Sequence, residues 1–545
     1  MNKILFFLLL SFSSSLYAQI IVSDDGSGTG TTTWTNNNTY MLDGMVFVNS
    51  GDELTIEPGT IIKGMPGSGA EASALVVARG GKINAVGTQE NPIIFTFEQD
   101  ALDGSTPYNT KGQWGGVIIL GNAQLNSSPG ETQIEGIPDT ESRGIYGGND
   151  DLDNSGTMKY VSIRHGGTDI GAGNEINGLT LGGVGSQTTL EYIEVIANAD
   201  DGVEFFGGTA SIKYVLTAFC GDDSFDYDEG WRGYGQFWCT VQEEGDGDRG
   251  GEHDGGTDPE DGLPYAHPII SNATYIGQGT TAGKRAITLR DNAGGEYHKS
   301  IFFNWGKGID IENLASGEDC YQRFINDEIK FSENIFDQCT NQGVNAEAQD
   351  IFKVTMGSGW PSLSDSTNAL NESSTTFQNS FISLGNQNVE SGLSYNIEEG
   401  SGSLALIPDD GFTSESIVDL PSWFDTTDFP GAFDPNLECT WLEGWSMLSN
   451  RGFIGCGNNI LEEINTNFIK TFPNPTDGNL QIVCNKSLID ASIEVRDLNG
   501  RLIQKETRNI FANENLLINI DSKPGVYVIS IIDEDLNLHS KIILE

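Results

Sequence analysis

The sequence predicts an all-β protein, namely a right-handed parallel β-helix followed by a small C-terminal antiparallel β-sandwich. Short stretches of alternating apolar and polar residues recur along the chain, and no segment shows the periodicity of an amphipathic helix. Glycine contributes 69 of the 545 residues, and Gly, Asn and Asp stand where bends are expected. Similar segments also return at a fixed spacing, which indicates coils that bury their apolar faces by stacking.

The fixed spacing is 22 residues. Residues 192–195 (YIEV) match 214–217 (YVLT), residues 201–205 (DGVEF) match 223–227 (DSFDY), and residues 286–290 (AITLR) match 308–312 (GIDIE). A β-propeller is the alternative fold, but its blades need roughly 40–45 residues and four strands each. The shorter spacing therefore favours a β-helix, which we assign to residues 19–457.

The charge of the chain excludes several classes of partner. There are 28 Lys and Arg against 78 Asp and Glu, which gives a net charge of −50. Nucleic-acid binding requires a basic surface, and an anionic membrane leaflet would repel this chain, so neither partner is expected. The hydrophobic content of 37% is too high for a disordered acidic chain.

The N-terminus has the pattern of a secretory signal peptide. Residues 1–18 (MNKILFFLLLSFSSSLYA) place Lys3 before an apolar run and small polar residues, with cleavage expected after Ala18. No later apolar stretch reaches the roughly 18 residues that a membrane-spanning helix needs. The sequence thus predicts export without a transmembrane helix.

The last 78 residues, 468–545, differ from the rest and follow a linker at 458–467. Short alternating runs separated by turn signals predict a small antiparallel sandwich. The motifs FPNPTDGNLQI, SIEVRDLNGRLI, KPGVYVISI and SKIIL, in this order, make the segment resemble the C-terminal sorting domain of the type IX secretion system of Bacteroidetes. The residues that carry the resemblance are Pro473, Asn474, Pro475, Gly478, Gly525 and Tyr527.

This resemblance implies that the type IX secretion machinery is a partner. It also implies transport across the outer membrane, with the mature protein extracellular or attached to the cell surface. A generic β-sandwich that binds sugar is the alternative interpretation of the same segment.

Two further regions suggest caps on the β-helix. Residues 34–60, 74–97 and 113–123 resemble the opening turns of secreted β-helix proteins of Bacteroidetes and marine bacteria, a family without an established common activity. The aromatic segments 423–433 (WFDTTDFPGAF) and 440–453 (TWLEGWSMLSNRGF) are predicted to plug the last coil.

Six of the seven cysteines fall into pairs separated by slightly less than one coil. An oxidising compartment favours disulfides between such pairs, and buried free thiols are the alternative. The pairs are Cys220 with Cys239, Cys320 with Cys339, and Cys439 with Cys456.

Two acidic segments are candidate calcium sites, because Ca²⁺ prefers six to eight hard oxygen ligands. Nine of the nineteen residues at 243–261 are acidic and predict a protruding loop, while DLDNSG at 151–156 matches the first half of a calcium loop. Its twelfth position is Ser162 rather than Glu, so a bidentate ligand is missing there. A solvated acidic turn is the alternative. The candidate ligands are Asp246, Asp248, Glu252 and Asp254 in the first segment and Asp151, Asp153 and Ser155 in the second.

Alternation along the repeats also predicts columns of side chains on the outer face of the coils. Val203 and Phe205, and their counterparts in later repeats, are expected to pack inside. The outward columns are then Glu204, Asp226, Thr288 and Asp310, followed by Asp228, Arg290 and Glu312. Stacked like charges repel, so a bound cation or the Arg290 guanidinium would relieve them.

This face leads to two functional hypotheses. The first is a non-enzymatic, calcium-stabilised surface protein that binds glycans or mediates adhesion. The second is a calcium-dependent polysaccharide lyase or glycoside hydrolase, with Asp226, Asp228 and Arg290 as catalytic candidates. The pairs at 200–201 and 222–223 resemble those of polygalacturonases, but the Asn-Thr-Asp, Gly-His-Gly and Arg-Ile-Lys motifs of that family are absent. The sequence therefore favours the first hypothesis, with a solvated acidic face as the plain alternative.

Overall fold

The computed structural model divides the chain into two compact units, Met1–Gly455 and Cys456–Glu545. The structure describes residues 18–170, 175–256, 258–314, 318–340, 351–356, 391–409, 419–456, 469–472, 476, 478–484, 488–497, 501–511, 515–520, 522–533 and 536–544. The predicted signal peptide, except for Ala18, and the predicted linker lie outside these residues and stay predictions. No helix among the described residues combines the length and apolar character needed to cross a bilayer.

The first unit is a parallel β-helix, which confirms the predicted fold. Two large sheets of parallel strands form its walls, and each strand pairs with its counterpart in the next coil. The first sheet has seventeen described strands: β1 (Ala18–Ser23), β2 (Thr32–Trp34), β3 (Asn38–Asp43), β5 (Glu53–Ile56), β6 (Ile61–Gly64), β8 (Lys82–Val86), β9 (Ile93–Phe97), β13 (Gly156–Arg164), β15 (Thr189–Ile196), β17 (Ser211–Ala218), β19 (Tyr234–Val241), β21 (Ile269–Ser271), β22 (Thr274–Ile276), β24 (Gly295–His298), β25 (Ile301–Trp305), β27 (Ile329–Ser332) and β28 (Ile335–Cys339).

The second sheet has ten described strands and carries the predicted outward columns. These strands are β4 (Met45–Val48), β7 (Ala74–Val77), β10 (Val117–Leu120), β14 (Leu179–Gly182), β16 (Val203–Phe206), β18 (Phe225–Asp228), β20 (Gly251–Asp254), β23 (Arg285–Arg290), β26 (Lys307–Asn313) and β29 (Phe352–Met356). A hairpin of β11 (Glu131–Gln133) and β12 (Ile145–Gly147) is inserted in one coil. Among the described residues of this unit, the helices are α1 (Cys320–Ile325), α2 (Met447–Asn450) and the 3₁₀ turns Gly69–Glu71 and Ser142–Gly144.

The pairing register confirms the 22-residue repeat. Val203 pairs with Phe225 in the next coil, and Ile287 pairs with Ile309. Other coils are longer because they hold insertions; Gly251, for example, pairs with Ile287. The stacked interior is strongly aromatic, with the ring centroids of Phe205 and Trp231 only 4.0 Å apart. These contacts bury the inward face that alternation predicts.

A ladder of aromatic rings runs along one bend of the coils. Tyr160, Tyr192, Tyr214 and Phe237 stack in sequence, with ring centroids 4.4 to 4.7 Å apart. All four residues adopt the left-handed conformation, with φ between 49° and 58°, which is unfavourable for bulky side chains. Stacking between successive coils offsets this cost, so the bend is repeated at the same place in each coil.

The aromatic C-terminal segment packs along the flank of the β-helix and not over its last coil as a plug. Trp445 packs edge-on against Tyr160 at 5.5 Å, and Trp441 against Tyr214 at 5.6 Å. The predicted position of this cap is therefore wrong. The physical reason is that the flank carries a second apolar cluster across several coils, which residues 391–409 and 419–455 cover.

A buried ion pair also holds this segment. Glu194 is fully buried, and its Oε1 lies 3.2 Å from Nη2 of Arg164. Both carboxylate oxygens accept hydrogen bonds from the backbone N–H of Met447 at the start of α2, at 3.1 and 2.9 Å. Hydrogen bonds to a buried carboxylate thus hold the segment in place, in addition to its apolar contacts.

The structure agrees with one of the three predicted cysteine pairs and contradicts the other two. Cys439 and Cys456 are both disulfide-bonded, but Cys220, Cys239, Cys320 and Cys339 are free buried thiols, which contradicts the other two predicted pairs. Cys220 packs in the interior cluster while Cys239 belongs to the flank cluster, so their side chains lie on opposite sides of the wall. Cys320 lies on α1 rather than on a strand, so its spacing from Cys339 does not measure one coil.

The second unit contains two antiparallel sheets around its own core, as predicted. The first sheet consists of β30 (Ile469–Phe472), β31 (Asn479–Cys484) and β34 (Asn515–Asn519), and the second of β32 (Leu488–Asp497), β33 (Leu502–Ile510), β35 (Gly525–Asp533) and β36 (Leu536–Leu544). Gly478 has a φ of +106°, and its carbonyl accepts a hydrogen bond from the N–H of Ile520. The Tyr527 hydroxyl donates to the Lys523 carbonyl at 2.7 Å. Pro473, Asn474 and Pro475 lie outside the described residues.

Truncating Trp445, a ring of the C-terminal segment that covers the flank of the β-helix, should destabilise the first unit. Trp445 is fully buried, so Trp445→Ala should lower the free energy of unfolding by about 3–5 kcal/mol. Equilibrium urea unfolding measures this change. Leu437, which lies in the same segment but is 58% exposed, supplies the control, and Leu437→Ala should change stability by less than about 0.5 kcal/mol. Equal effects of the two substitutions would contradict the packing described here.

Candidate functional site

The outward column on the second sheet exists and holds one more acid than the sequence analysis assigned to it. Glu204 pairs with Asp226, Asp226 with Glu252, Glu252 with Thr288, and Thr288 with Asp310. Glu252 joins because β20 forms a full strand inside the segment 243–261. The prediction that this whole segment is a protruding loop is therefore wrong. Its GEHD tetrapeptide takes the alternating pattern of its neighbours, with His253 buried inside.

Acidic side chains gather where the chain enters these strands. Three groups each bring carboxylate oxygens within 4.8 Å of one another, and the groups share members, so they form one continuous acidic belt. The groups are Asp200, Asp201 and Asp222; Asp201, Glu204 and Asp226; and Asp222, Asp223 and Asp248.

Arginine and lysine side chains neutralise one half of this belt. Arg249 lies 3.3 Å from Asp223, 2.8 Å from Asp248 and 3.1 Å from Glu252. Arg290 forms two hydrogen bonds with Asp254, at 2.6 and 2.9 Å. Asp223 and Asp248 in this half of the belt, and Glu252 and Asp254 beside it, are therefore all paired with arginine.

The other half has no such compensation. Among the described residues, no Lys, Arg or His forms an ion pair with Asp201, Glu204 or Asp226, which we call the carboxylate trio. Asp201 and Glu204 are 6% and 8% exposed. Removing carboxylates from water without a positive partner is costly, so protons or a bound cation must balance them.

Two buried oxygens at the trio lack hydrogen-bond partners. Oδ1 of Asp226 is inaccessible to solvent and has no donor. Asn177 is 4% exposed, its Nδ2 donates to Oε2 of Glu204, and its Oδ1 has no partner. Because buried polar atoms are almost always satisfied, these two acceptors mark the trio as a place that can take up a donor or a cation.

The electrostatics of the trio are strongly perturbed. Burial, and then the charge of Asp223, raise the pKa of Asp201 well above its ordinary value. Burial followed by the charges of Glu135 and Asp200 does the same to the pKa of Glu204. Burial likewise raises the pKa of Asp226, to which the charge of Glu204 adds. Without a cation, the trio therefore holds protons at pH values where exposed carboxylates are ionised.

The calcium ligands named from the sequence do not converge in this structure. Asp246 pairs with Lys111, and Asp248 lies 3.1 Å from Lys284. Glu252 and Asp254 belong to the network around Arg290. Each of these four carboxylates is thus paired with a lysine or arginine side chain.

The second predicted calcium segment is also held by protein groups. Asp151 pairs with Arg232 at 3.0 Å and accepts a hydrogen bond from the N–H of Gln124 at 3.0 Å. Asp153 accepts from Asn122 and from the hydroxyl of Ser155. Asp151, Asp153 and Ser155 are therefore structural links in an irregular segment.

A cavity of about 580 Å³ opens at the other end of the same strands. Its walls include the aromatic rings of Tyr146 and Phe206 and the carboxylates of Glu135, Asp228 and Glu229. The Tyr146 hydroxyl donates to Oε2 of Glu229 at 2.5 Å. Burial raises the pKa of Glu229 to about 7. A concave site with aromatic walls and perturbed carboxylates has the features of a ligand pocket.

Of the three catalytic candidates, Asp226 lies in the trio, Asp228 lines this cavity, and Arg290 lies in the ion-pair network. The hydrogen bonds with Asp254 raise the pKa of Arg290 further above its ordinary value. Arg290 is therefore fully protonated and unsuited to act as a base.

Sequence reasoning missed Asn177, Glu135 and Tyr146, because each enters the site from a bend or an insertion outside the repeat. No spacing signal marks them. The acidic pairs at 200–201 and 222–223 occupy equivalent positions in successive repeats, and the structure places all four residues in the acidic belt.

The raised pKa of Glu229 predicts a pH dependence of stability. A carboxylate whose folded-state pKa lies above its unfolded value stabilises the fold below the unfolded pKa and loses that contribution as pH rises through the folded pKa. The free energy of unfolding should therefore fall between about pH 4.5 and pH 7. Glu229→Gln keeps an acceptor for Tyr146 and should reduce this fall by about 1–2 kcal/mol.

Urea unfolding at a series of pH values measures this difference. Glu53, an exposed acid on β5, provides the control, and Glu53→Gln should leave the pH profile unchanged. A Glu229→Gln profile that coincides with that of the unsubstituted protein would show that Glu229 titrates normally.

Comparison with known proteins assigns both units. Residues 26–380 match the family model described as a pectate-lyase-like beta helix domain, and residues 470–545 match the secretion system C-terminal sorting domain. No curated protein matches the chain. The sorting domain indicates export across the outer membrane to the cell surface or the extracellular space. Because the first match spans more than half of the sequence, the chain belongs to the pectate-lyase-like β-helix domain family and carries a type IX secretion sorting domain.

Proposed function

We propose that this exported β-helix protein binds Ca²⁺ at the carboxylate trio and binds a glycan in the adjoining cavity, without cleaving it. The observation that carries the proposal is the contrast within the acidic belt. Asp223, Asp248 and Glu252 each contact an arginine, whereas the carboxylates of the trio converge without any cationic side chain among the described residues.

The chemistry of the trio suits a calcium ion. Ca²⁺ accepts carboxylate, amide and water oxygens in flexible geometry, and the trio supplies three carboxylates beside the unpartnered Oδ1 of Asn177. No cysteine belongs to the group and no histidine does, so the ligands are hard oxygens throughout. Bound Ca²⁺ would neutralise the charge that stacking of Glu204 on Asp226 creates.

The cavity suits a sugar ring. Phe206 and Tyr146, which are 9% and 2% exposed, form the apolar side of its wall, while Glu135, Asp228 and Glu229 offer hydrogen-bond acceptors for hydroxyl groups. Its volume of about 580 Å³ falls within the range of small-ligand pockets. Export to the cell surface brings this cavity into contact with polysaccharides.

Removing one carboxylate of the trio should abolish the response to calcium. With Ca²⁺ at a hundredfold excess over Kd, the unsubstituted protein should gain about 2.7 kcal/mol of stability relative to the same protein in EDTA. Asp226→Asn should lose this gain because it removes a ligand charge. Calorimetric titration with CaCl₂ and thermal melting measure both effects.

Asp246 offers a matched control, since it is acidic and lies in the segment that the sequence favoured. Asp246→Asn should retain the full calcium response, because its carboxylate pairs with Lys111. If Asp226→Asn binds Ca²⁺ normally and Asp246→Asn does not, the site lies in the sequence-predicted segment and the proposal is wrong.

Truncation of the aromatic wall should weaken glycan binding. Phe206→Ala should reduce the affinity for a bound polysaccharide by tenfold or more, measured by calorimetry against a panel of marine and plant polysaccharides. Leu152→Ala, at an exposed position outside the cavity, should bind normally. The same incubations should release neither reducing ends nor unsaturated products.

A glycoside hydrolase is the second candidate, favoured by the Glu229 carboxyl whose pKa lies near 7 in the cavity. Product release that Glu229→Gln abolishes would establish this candidate and refute non-enzymatic binding. The lyase version is disfavoured because the ion pairs with Asp254 and Glu252 keep Arg290 protonated.

A further inference from the structure

A second acidic cluster lies where three successive strands of the second sheet, β20, β23 and β26, come to an end. Glu312 lies near the end of β26, Asp291 directly follows β23, and Glu260 belongs to the loop that follows β20. Each of these three residues brings a carboxylate oxygen within 4.8 Å of those of the other two. None of the three belongs to the carboxylate trio, and none was assigned as a calcium ligand from the sequence.

No positive side chain of the first unit pairs with this second cluster. Arg290 directly precedes Asp291, but its guanidinium is bound to Asp254 and Glu252. Burial and the charge of Asp254 raise the pKa of Asp291, although Arg290 lowers it, so Arg290 does not neutralise this carboxylate. Among the described residues, no Lys, Arg or His forms an ion pair with any of the three acids. The residues between 18 and 455 that the structure leaves undescribed include no Lys, Arg or His that could do so.

Two oxygens at the second cluster are buried without a hydrogen-bond donor. Oε1 of Glu260 is inaccessible to solvent and has no partner. Asn292, the residue after Asp291, is 1% exposed, and its Oδ1 has no partner either. Nδ2 of the same amide lies 3.4 Å from the carbonyl oxygen of Glu260, so the amide is directed toward the loop that carries Glu260. A buried amide oxygen without a donor, next to three carboxylates, is an arrangement that a cation satisfies.

The cluster also joins two parts of the chain whose charges repel each other. The N–H of Gly256 donates to the carbonyl of Asp291 at 3.0 Å, which attaches the start of the loop 255–262 to the turn of the next coil. Burial raises the pKa of Glu260, and the charges of Asp291 and Glu312 raise it further. A cation among the three carboxylates would change this repulsion into attraction and would fasten the loop.

We propose that the carboxylates of Glu260, Asp291 and Glu312 and Oδ1 of Asn292 form a second Ca²⁺ site, which fastens the loop 255–262 to the ends of β23 and β26. All of these ligands are hard oxygens, and Ca²⁺ accepts them in flexible geometry. The three acids are only partly buried, so water can complete the six to eight ligands that the ion requires.

This site should bind calcium more weakly than the carboxylate trio. Calcium affinity falls when a site is less rigid, and partly exposed carboxylates on a loop and a turn are held less firmly than the buried acids of the trio. We therefore expect a Kd of about 10⁻⁴–10⁻³ M, the range of extracellular calcium modules. The trio then fills at lower concentration, and the stability test on Asp226→Asn applies below this range. The inference does not depend on the trio.

The experiment uses the full exported protein carrying Asp226→Asn, in which the trio lacks one carboxylate. Hydrogen exchange of the loop 255–262 is followed by mass spectrometry in EDTA and in about 5 mM CaCl₂, and binding is followed by calorimetry. With a Kd of about 1 mM, calcium should slow exchange of the loop by about sixfold. Adding Asp291→Asn should abolish both the slowing and the binding heat. Asn removes the charge but tolerates the left-handed backbone there, where φ is 51°.

Asp261, an exposed acid next to Glu260, gives the matched control, and Asp261→Asn in the same background should keep both responses. Glu312→Gln retains an acceptor for the N–H of Asp291 and should abolish both responses. Thermal melting in EDTA checks that each variant is folded. The inference is overturned if Asp226→Asn shows no calcium response, or the same response with and without Asp291→Asn. Failure of the trio proposal appears differently, as Asp226→Asn binding as many ions as the unsubstituted protein.

Discussion

Parallel stacking imposes one constraint on which the whole outer face depends. A side chain that points outward from one coil lies about 4.8 Å from its counterpart in the next coil. Inward positions satisfy this rule easily, since Phe205, Trp231 and their neighbours simply stack. Outward acids do not, because Glu204, Asp226 and Glu252 form consecutive rungs of like charge. The architecture thus creates a strong local demand for positive charge.

The chain meets this demand differently along its length. From Glu252 onward, Arg249 and Arg290 are placed between the acids. Earlier in the sheet no cationic side chain reaches the carboxylate trio among the described residues. Around Glu252 the chain therefore meets this demand with its own side chains, whereas the described residues around the trio do not.

Alternation and repeat spacing were sufficient to predict the inward residues, the outward column and the architecture, because register in a β-helix follows directly from period and polarity. They failed where local composition conceals a strand, as at Gly251–Asp254, whose glycine-rich and acidic surroundings resemble a loop. They also failed where inserted segments contribute, as with Asn177, Tyr146 and the helix that carries Cys320. The apolar cluster on the flank could not be predicted from the sequence. Outward apolar residues such as Leu216 are buried there by a distant segment of the chain, and repeat spacing does not reveal which segment covers them.

The most direct test of this account is an anomalous diffraction experiment on crystals of the protein soaked in a lanthanide such as Tb³⁺, which replaces Ca²⁺ at oxygen sites. The account predicts a strong anomalous peak within coordination distance of Asp201, Glu204 and Asp226. A peak between Asp246 and Asp248, or beside Asp151 and Asp153, with none at the trio, would contradict it.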